Sequence, residues 1–197
     1  EVITLPFIDV DNAKIRAIYE DHNQNLWIGC YHRGMVMVSK ESTPFHFWSV
    51  PTREYPQAGV ITALYKDDDG HIVSGVEGEG VFKITSEGNI TDHLFSGKTV
   101  SSIYKDYSGN LWFGGYYSGL YMQDAKGNVR FMLPEIKLKD IKKITGDDKG
   151  NLYLSLFGSG FIRYHLPTQT VTEYQSSSGG LRNNWIYTLL LDSRERL

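Results

Sequence analysis

The chain has a single cysteine, Cys30. One thiol excludes an intrachain disulfide and any CxxC metal pair, and at a strand edge it is expected to be inert. No run of about 18 apolar residues occurs, so no helix is expected to span a membrane. No signal peptide is visible at Glu1-Val2-Ile3. The formal net charge is only −3, which gives no reason to expect nucleic acid or an anionic membrane as a partner. No stretch carries a helical period. There is no GxSxG elbow, and Gly75, Gly78 and Gly80 are too scattered for a phosphate loop. The six histidines show no metal-ligand spacing. No catalytic constellation emerges, and neither a cofactor nor a metal is expected.

What the chain does have is one short text written several times. Residues 100–120 read VSSIYKDYSGNLWFGGYYSGL, 15–35 read IRAIYEDHNQNLWIGCYHRGM, 61–81 read ITALYKDDDGHIVSGVEGEGV, and 141–161 read IKKITGDDKGNLYLSLFGSGF. A further copy opens at Ile186 with IYTLLLDSRERL. In each full copy an apolar alternation enters an Asp (21, 67, 106, 147), and a late Gly (34, 80, 119, 160) follows 13 positions on. Asp accepts backbone hydrogen bonds at the start of a tight turn, and Gly supplies positive φ at its end. Gln24 and Glu195 stand where Gly109 and Gly150 stand, which predicts a strained or altered turn there. Fixed internal spacing, variable connections and a period of about 40 with only strand-like text predict four-stranded propeller blades.

The expected class is therefore all-β, a partial propeller over 1–197 with four four-stranded antiparallel blades and pieces of two more. Repeats fall at about 15–49, 61–95, 100–132 and 141–175, with a partial one at 186–197. Val2 to Leu5 reads as an outer strand of another blade. The 41 % hydrophobic content suits a packed core. Leu26-Trp27-Ile28 and Leu111-Trp112-Phe113 read as middle strands apolar on both faces, so Trp27 and Trp112 are expected between blades. Tyr153 and Val73 take the Trp position in the other two repeats. Asp67-Asp68-Asp69-Gly70 invites a calcium reading, but His71 breaks the alternation of oxygen ligands. His22 and His71 are expected to be solvated, and Ser176-Ser177-Ser178-Gly179-Gly180 to be a flexible connection.

With the innermost strand first, the second-to-third-strand loops share one face with the blade-to-blade connections. That face should gather Tyr31, Arg33, Glu77, Tyr116, Tyr117, Phe157, Arg182 and Trp185, with Trp48, Arg53, Tyr55, Asn183 and Asn184 nearby. Aromatic planes stack on sugar rings, and Arg, Asn and Glu bind hydroxyls or acidic groups. The same residue types also suit a protein interface. A propeller enzyme would need an acid/base pair there, for which Glu77 and Glu79 are the visible candidates.

The strings IRAIYEDHNQNLWIG, VSSIYKDYSGNLWFGGYYSGL and ITGDDKGNLYLS resemble the two-component regulator propeller repeat. Repeat two departs from it at His71-Ile72-Val73-Ser74. The resemblance implies a seven-bladed propeller in the periplasmic sensor region of a bacterial hybrid two-component system of the Bacteroidetes type. Such regions commonly detect oligosaccharides and signal to a histidine kinase, which would lie outside this chain. A propeller lyase or glycoside hydrolase, or a protein-binding scaffold, is the alternative. No ligand contact carries over from the motif, which marks fold rather than a binding residue. Read as an excised piece with open sheet edges, the chain is also expected to self-associate.

Overall fold

A computed structural model describes residues 14–32, 34–40, 46–48, 50, 59–136 and 139–197. The chain divides into two compact units, Glu1–Thr99 and Val100–Leu197. Val2–Leu5, Arg33, Arg53 and Tyr55, singled out above, lie outside the described residues.

The repeats become four four-stranded sheets, each antiparallel and in chain order. The first sheet holds β1 (Ile15–Glu20), β2 (Leu26–Cys30), β3 (Gly34–Val38) and β4 (His46–Trp48). The second holds β5 (Ile61–Lys66), β6 (Ile72–Val76), β7 (Gly80–Ile84) and β8 (Ile90–Leu94). The third holds β9 (Thr99–Lys105), β10 (Leu111–Tyr116), β11 (Gly119–Gln123) and β12 (Val129–Met132). The fourth holds β13 (Ile141–Gly146), β14 (Asn151–Leu156), β15 (Gly160–His165) and β16 (Thr170–Tyr174). Among the described residues the only helical pieces are three-residue 3-10 turns at Pro134–Ile136 and Ser176–Ser178. The second of these falls within the connection Ser176–Gly180, where the Ser176 amide donates to Asn184 Oδ1 at 2.8 Å.

Burial follows the repeat. The second strand is covered on both faces, as at β6, where all five residues are buried. The fourth strand is the exposed one, as at β8 and β12. In the first unit, Trp27, Met35 and Val50 pack with Ile61, Ile72, Val76, Phe82 and Ile84, so the core lies between the two sheets. In the second unit, Trp112 and Leu120 pack with Ile141, Ile144, Leu152, Leu154, Ile162 and Tyr164. Trp27 is 5 % exposed and Trp112 2 %, which places both between neighbouring blades as expected.

The glycine after the Trp-Ile or Trp-Phe pair serves this packing. A Cβ on Gly29 would meet Ile61 Cγ2 at 3.0 Å, and one on Gly114 would meet Ile141 Cγ2 at 2.7 Å. The first strand of the next blade thus approaches the backbone of the previous one too closely for a side chain.

The turn between first and second strands is built by the Asp. Asp106 Oδ1 accepts the amides of Ser108 and Asn110, both at 2.9 Å. Its Oδ2 accepts the Asn110 side-chain amide at 2.9 Å and the Trp112 indole N–H at 2.8 Å. Asp21 repeats this set with Asn23, Asn25 and Trp27. Asp147 repeats it with Lys149 and Asn151, and the Tyr153 hydroxyl donates at 3.3 Å in place of the indole. Burial alone would raise the pKa of Asp21 and Asp147, but these hydrogen bonds outweigh it and hold both below the ordinary carboxyl value.

Repeat two lacks the indole because Val73 is small. Lys83, the cross-strand partner of Val73, reaches Asp67 Oδ2 at 2.7 Å instead. The Lys83 ammonium also lies 3.9 Å from Asp69, beside a group in which ligand atoms of Asp67, Asp69 and His71 come within 4.8 Å of one another. His71 is half-buried against Asp67, 3.5 Å away, and is not the solvated histidine expected.

Gln24 and Glu195 take φ of 63° and 57°, the left-handed conformation that Gly70, Gly109 and Gly150 hold in the other repeats. At Asp192 the fifth turn forms in full, accepting the amides of Arg194 and Arg196 and the Arg196 guanidinium. The preceding 186–191, read as a first strand, pairs with no strand among the described residues. A ladder needs a partner, whereas an Asp turn closes on itself.

Candidate ligand-binding site

One backbone hydrogen bond sets where the second-to-third-strand loops lie. The residue just after the second strand donates its amide to the carbonyl just before the first strand. Tyr31 donates to Lys14 at 2.7 Å, Glu77 to Val60 at 2.9 Å and Phe157 to Asp140 at 2.9 Å. In these blades the loop therefore shares an end with the incoming connection, as the spacing predicts. Residues one position either side of the first strand's opening residue come next to the loop residue.

In the first blade those flanking residues are Lys14 and Arg16. The Arg16 guanidinium stands 4.9 Å from the Tyr31 ring centre and Lys14 Nζ 5.9 Å, both over the ring. His32 meets the same ring edge-on at 4.0 Å. In the fourth blade the equivalents are Asp140 and Lys142. Lys142 Nζ lies 5.2 Å from the Phe157 centre and 2.8 Å from Asp140 Oδ2. A cation over an aromatic ring thus occurs at matched positions of two repeats. Glu77 is exposed at the matched position of the second blade.

The third blade presents Tyr116 and Tyr117, packed edge to face at 4.4 Å and each more than half exposed. Tyr117 has φ +46° and His32 +53°, where the other two loops carry Gly78 at +71° and Gly158 at +75°. Two repeats therefore hold a large side chain in a conformation that favours glycine, a strain of about 1–2 kcal/mol each.

The fourth blade gathers the largest aromatic group. Phe157 meets Trp185 at 4.6 Å and Tyr187 at 4.8 Å, both edge to face. The segment bearing them is tied down by Asn184, whose carbonyl accepts the amides of Gly160 and Ile186. Asn183 Oδ1 accepts the Trp185 amide at 3.0 Å. Both asparagines, expected on this face, make bonds that hold this segment. Tyr187 was not foreseen in the site; its signal is the aromatic two positions after Trp185. Arg182 is exposed on the same segment.

One expectation changes. Trp48, placed on the loop face by the sequence, stacks on Trp27 at 5.2 Å and packs against the first unit's core. Arg33 lies outside the described residues. Cys30 is buried, and burial pushes its thiol pKa up, in keeping with an inert thiol.

The sequence profile of the two-component regulator propeller family matches residues 9–32 and 94–117. A comparison with curated protein sequences returned no match. Among solved structures, the extracellular domain assigned to a hybrid two-component system of B. thetaiotaomicron superposes with a TM-score of 0.71 at 22 % identity, over 84 % of this chain and 23 % of that one. A second extracellular domain from B. thetaiotaomicron, assigned to a one-component system, gives 0.74 at 20 % identity, over 92 % and 25 %. Virginiamycin B lyase from Staphylococcus aureus gives 0.65 at 16 % identity, over 81 % and 55 %. The chain spans about a quarter of the length of the two B. thetaiotaomicron domains. These likenesses identify a β-propeller fold, and the matches to the two-component regulator propeller repeat fall at residues 9–32 and 94–117.

Proposed function

We propose that this chain is part of the extracytoplasmic sensor region of a hybrid two-component signalling protein. It binds an oligosaccharide in the periplasm, and a histidine kinase outside this chain receives the signal. The observation that carries this reading is the set of solvent-exposed aromatic side chains Tyr116, Tyr117 and Trp185. In the fourth blade Trp185 packs on Phe157, over which Lys142 is held. Exposed aromatic rings beside hydrogen-bonding groups suit sugar rings, which have apolar faces and hydroxyl edges. The repeat family supports the signalling role. Calorimetry with candidate oligosaccharides on a Tyr116→Ala/Tyr117→Ala double variant tests the reading. The affinity falls if these loops hold the ligand, and unchanged affinity puts the site elsewhere.

A second reading, a propeller enzyme acting on polysaccharide, is favoured by the likeness in fold to a lyase. It predicts new chain ends, seen by reducing-sugar or unsaturated-product assay on polysaccharide incubated with the protein. A third reading is a protein-binding scaffold using the same Tyr and Trp residues.

A further inference from the structure

Resting on the oligosaccharide reading above, we propose that Phe157, Trp185 and Tyr187, with the Asp140–Lys142 pair beside them, form a subsite for an uncharged, hydroxyl-rich sugar ring. Three observations lead there. The first is the platform: Trp185 and Tyr187 remain 60 % and 66 % exposed although both rings touch Phe157. Apolar surface of this size left in water, and held by an anchored segment, suits the C–H face of a ring.

The second is an unsatisfied acceptor. Asp140 is 6 % exposed, and its Oδ2 bonds Lys142, but its Oδ1 is buried with no hydrogen-bond partner. A buried carboxylate oxygen without a donor is costly, and a ligand hydroxyl would satisfy it. Asp140 is joined to the aromatic group at two points. Its carbonyl accepts the Phe157 amide, and Lys142 bridges its carboxylate to the Phe157 ring.

The third is charge. Of the cations that flank Asp140 in the chain, Lys142 lies 5.2 Å from the Phe157 ring centre, and Asp140 already balances it at 2.8 Å. The other flanking cation, Lys139, spends a hydrogen on Ser159 Oγ at 2.9 Å. A uronate or sulfated sugar would bring a second anion toward Asp140 and could offer Oδ1 no donor from that group. A neutral sugar offers O–H donors to Asp140 and acceptors to the remaining Lys142 hydrogens. In the first blade Lys14 and Arg16, both cations, hold the positions of Asp140 and Lys142, so this balance belongs to the fourth blade.

The test uses a glycan array carrying neutral, uronate and sulfated oligosaccharides, probed with the labelled chain and with Trp185→Ala, followed by calorimetry on the glycans captured. Trp185 is exposed, so its loss leaves folding intact, which circular dichroism checks. The expected result is that the Trp185-dependent glycans are neutral. Trp185→Ala and Asp140→Asn should each weaken them about tenfold or more, the scale of losing an aromatic anchor or a charge-assisted hydrogen bond. Trp185-dependent capture of uronate or sulfated glycans overturns the assignment. Glycan capture indifferent to Trp185 also overturns it, while leaving the wider oligosaccharide reading in place. Capture of no glycan by the unaltered chain overturns both.

Discussion

Trp112→Phe is the perturbation that separates the two roles of the repeat's aromatic residue. Trp112 fills the space between two blades, against Tyr164 edge-on at 6.2 Å and the Ile141, Ile144 and Leu154 side chains. It also donates its indole N–H to Asp106, itself buried. Truncation to Ala removes both, and a large aromatic lost from a core costs about 3–5 kcal/mol. Phe keeps most of the packing and removes the donor. Asp106 Oδ2 then retains only the Asn110 amide, and a hydrogen bond to a charged group contributes about 1.5–3 kcal/mol. Phe should therefore cost about half of what Ala costs. Urea unfolding followed by far-UV circular dichroism reads both values. Asp106→Asn, combined with Trp112→Phe, should be less destabilising than the sum of the single changes, because each single variant already breaks the same bond. A Trp112→Phe variant within about 0.5 kcal/mol of the parent would refute the argument, since a surface-like substitution costs no more than that.

Three further outcomes are expected. Asp21, Asp67 and Asp147 are held below the ordinary carboxyl pKa, so an unfolded chain, titrating near 3.9, takes up protons first as pH falls. Their contribution is complete above about pH 4 to 5 and is lost as pH falls through the lowered folded values; a urea midpoint constant down to about pH 2.5 would contradict this. Tyr117→Gly relieves a left-handed φ worth about 1–2 kcal/mol against a glycine entropy cost of about 0.5–1, so stability should hold or rise slightly while oligosaccharide affinity drops. A clear loss of stability with unchanged affinity would make Tyr117 a packing residue. Finally, Ile15, Ile18, Tyr187 and Leu190 are large apolar side chains left exposed, so the isolated chain should associate at micromolar concentration. Light scattering showing one stable monomer would refute that.

The four sheets were legible because the pattern that specifies them is local. A strand, an Asp turn and a second strand need only residues within about ten positions, and their spacing recurs. What the spacing could not reveal is which atoms the Asp binds. Trp112 lies six positions from Asp106, and only the folded hairpin brings indole to carboxylate. The replacement in repeat two is harder still, because Lys83 comes from the third strand and acts only through its register with Val73. Trp48 was misplaced for a related reason. Aromatic residues near a connection read alike whether they stack outward on a ligand or inward on Trp27, and the choice depends on cross-strand partners.

The candidate loops were legible as a set, but their chemistry follows from differences between repeats. At the loop position the blades carry Tyr31, Glu77, Tyr116 and Phe157, and at the next His32, Gly78, Tyr117 and Gly158. Glycine is the low-energy residue where φ is positive, and two blades use it. A repeat selected for folding alone would use it in all four. His32 and Tyr117 keep bulky side chains there at a conformational cost, and so do not follow from the fold. The same reasoning applies to Asp140, which leaves an acceptor buried and unpaired where the first blade has Lys14. Structural positions of a repeat converge on one solution, as the Asp turn does even at Asp192, where 186–191 pair with no strand among the described residues. Positions that depart from that solution, against their own stability, mark where the fold has been adapted to something outside it.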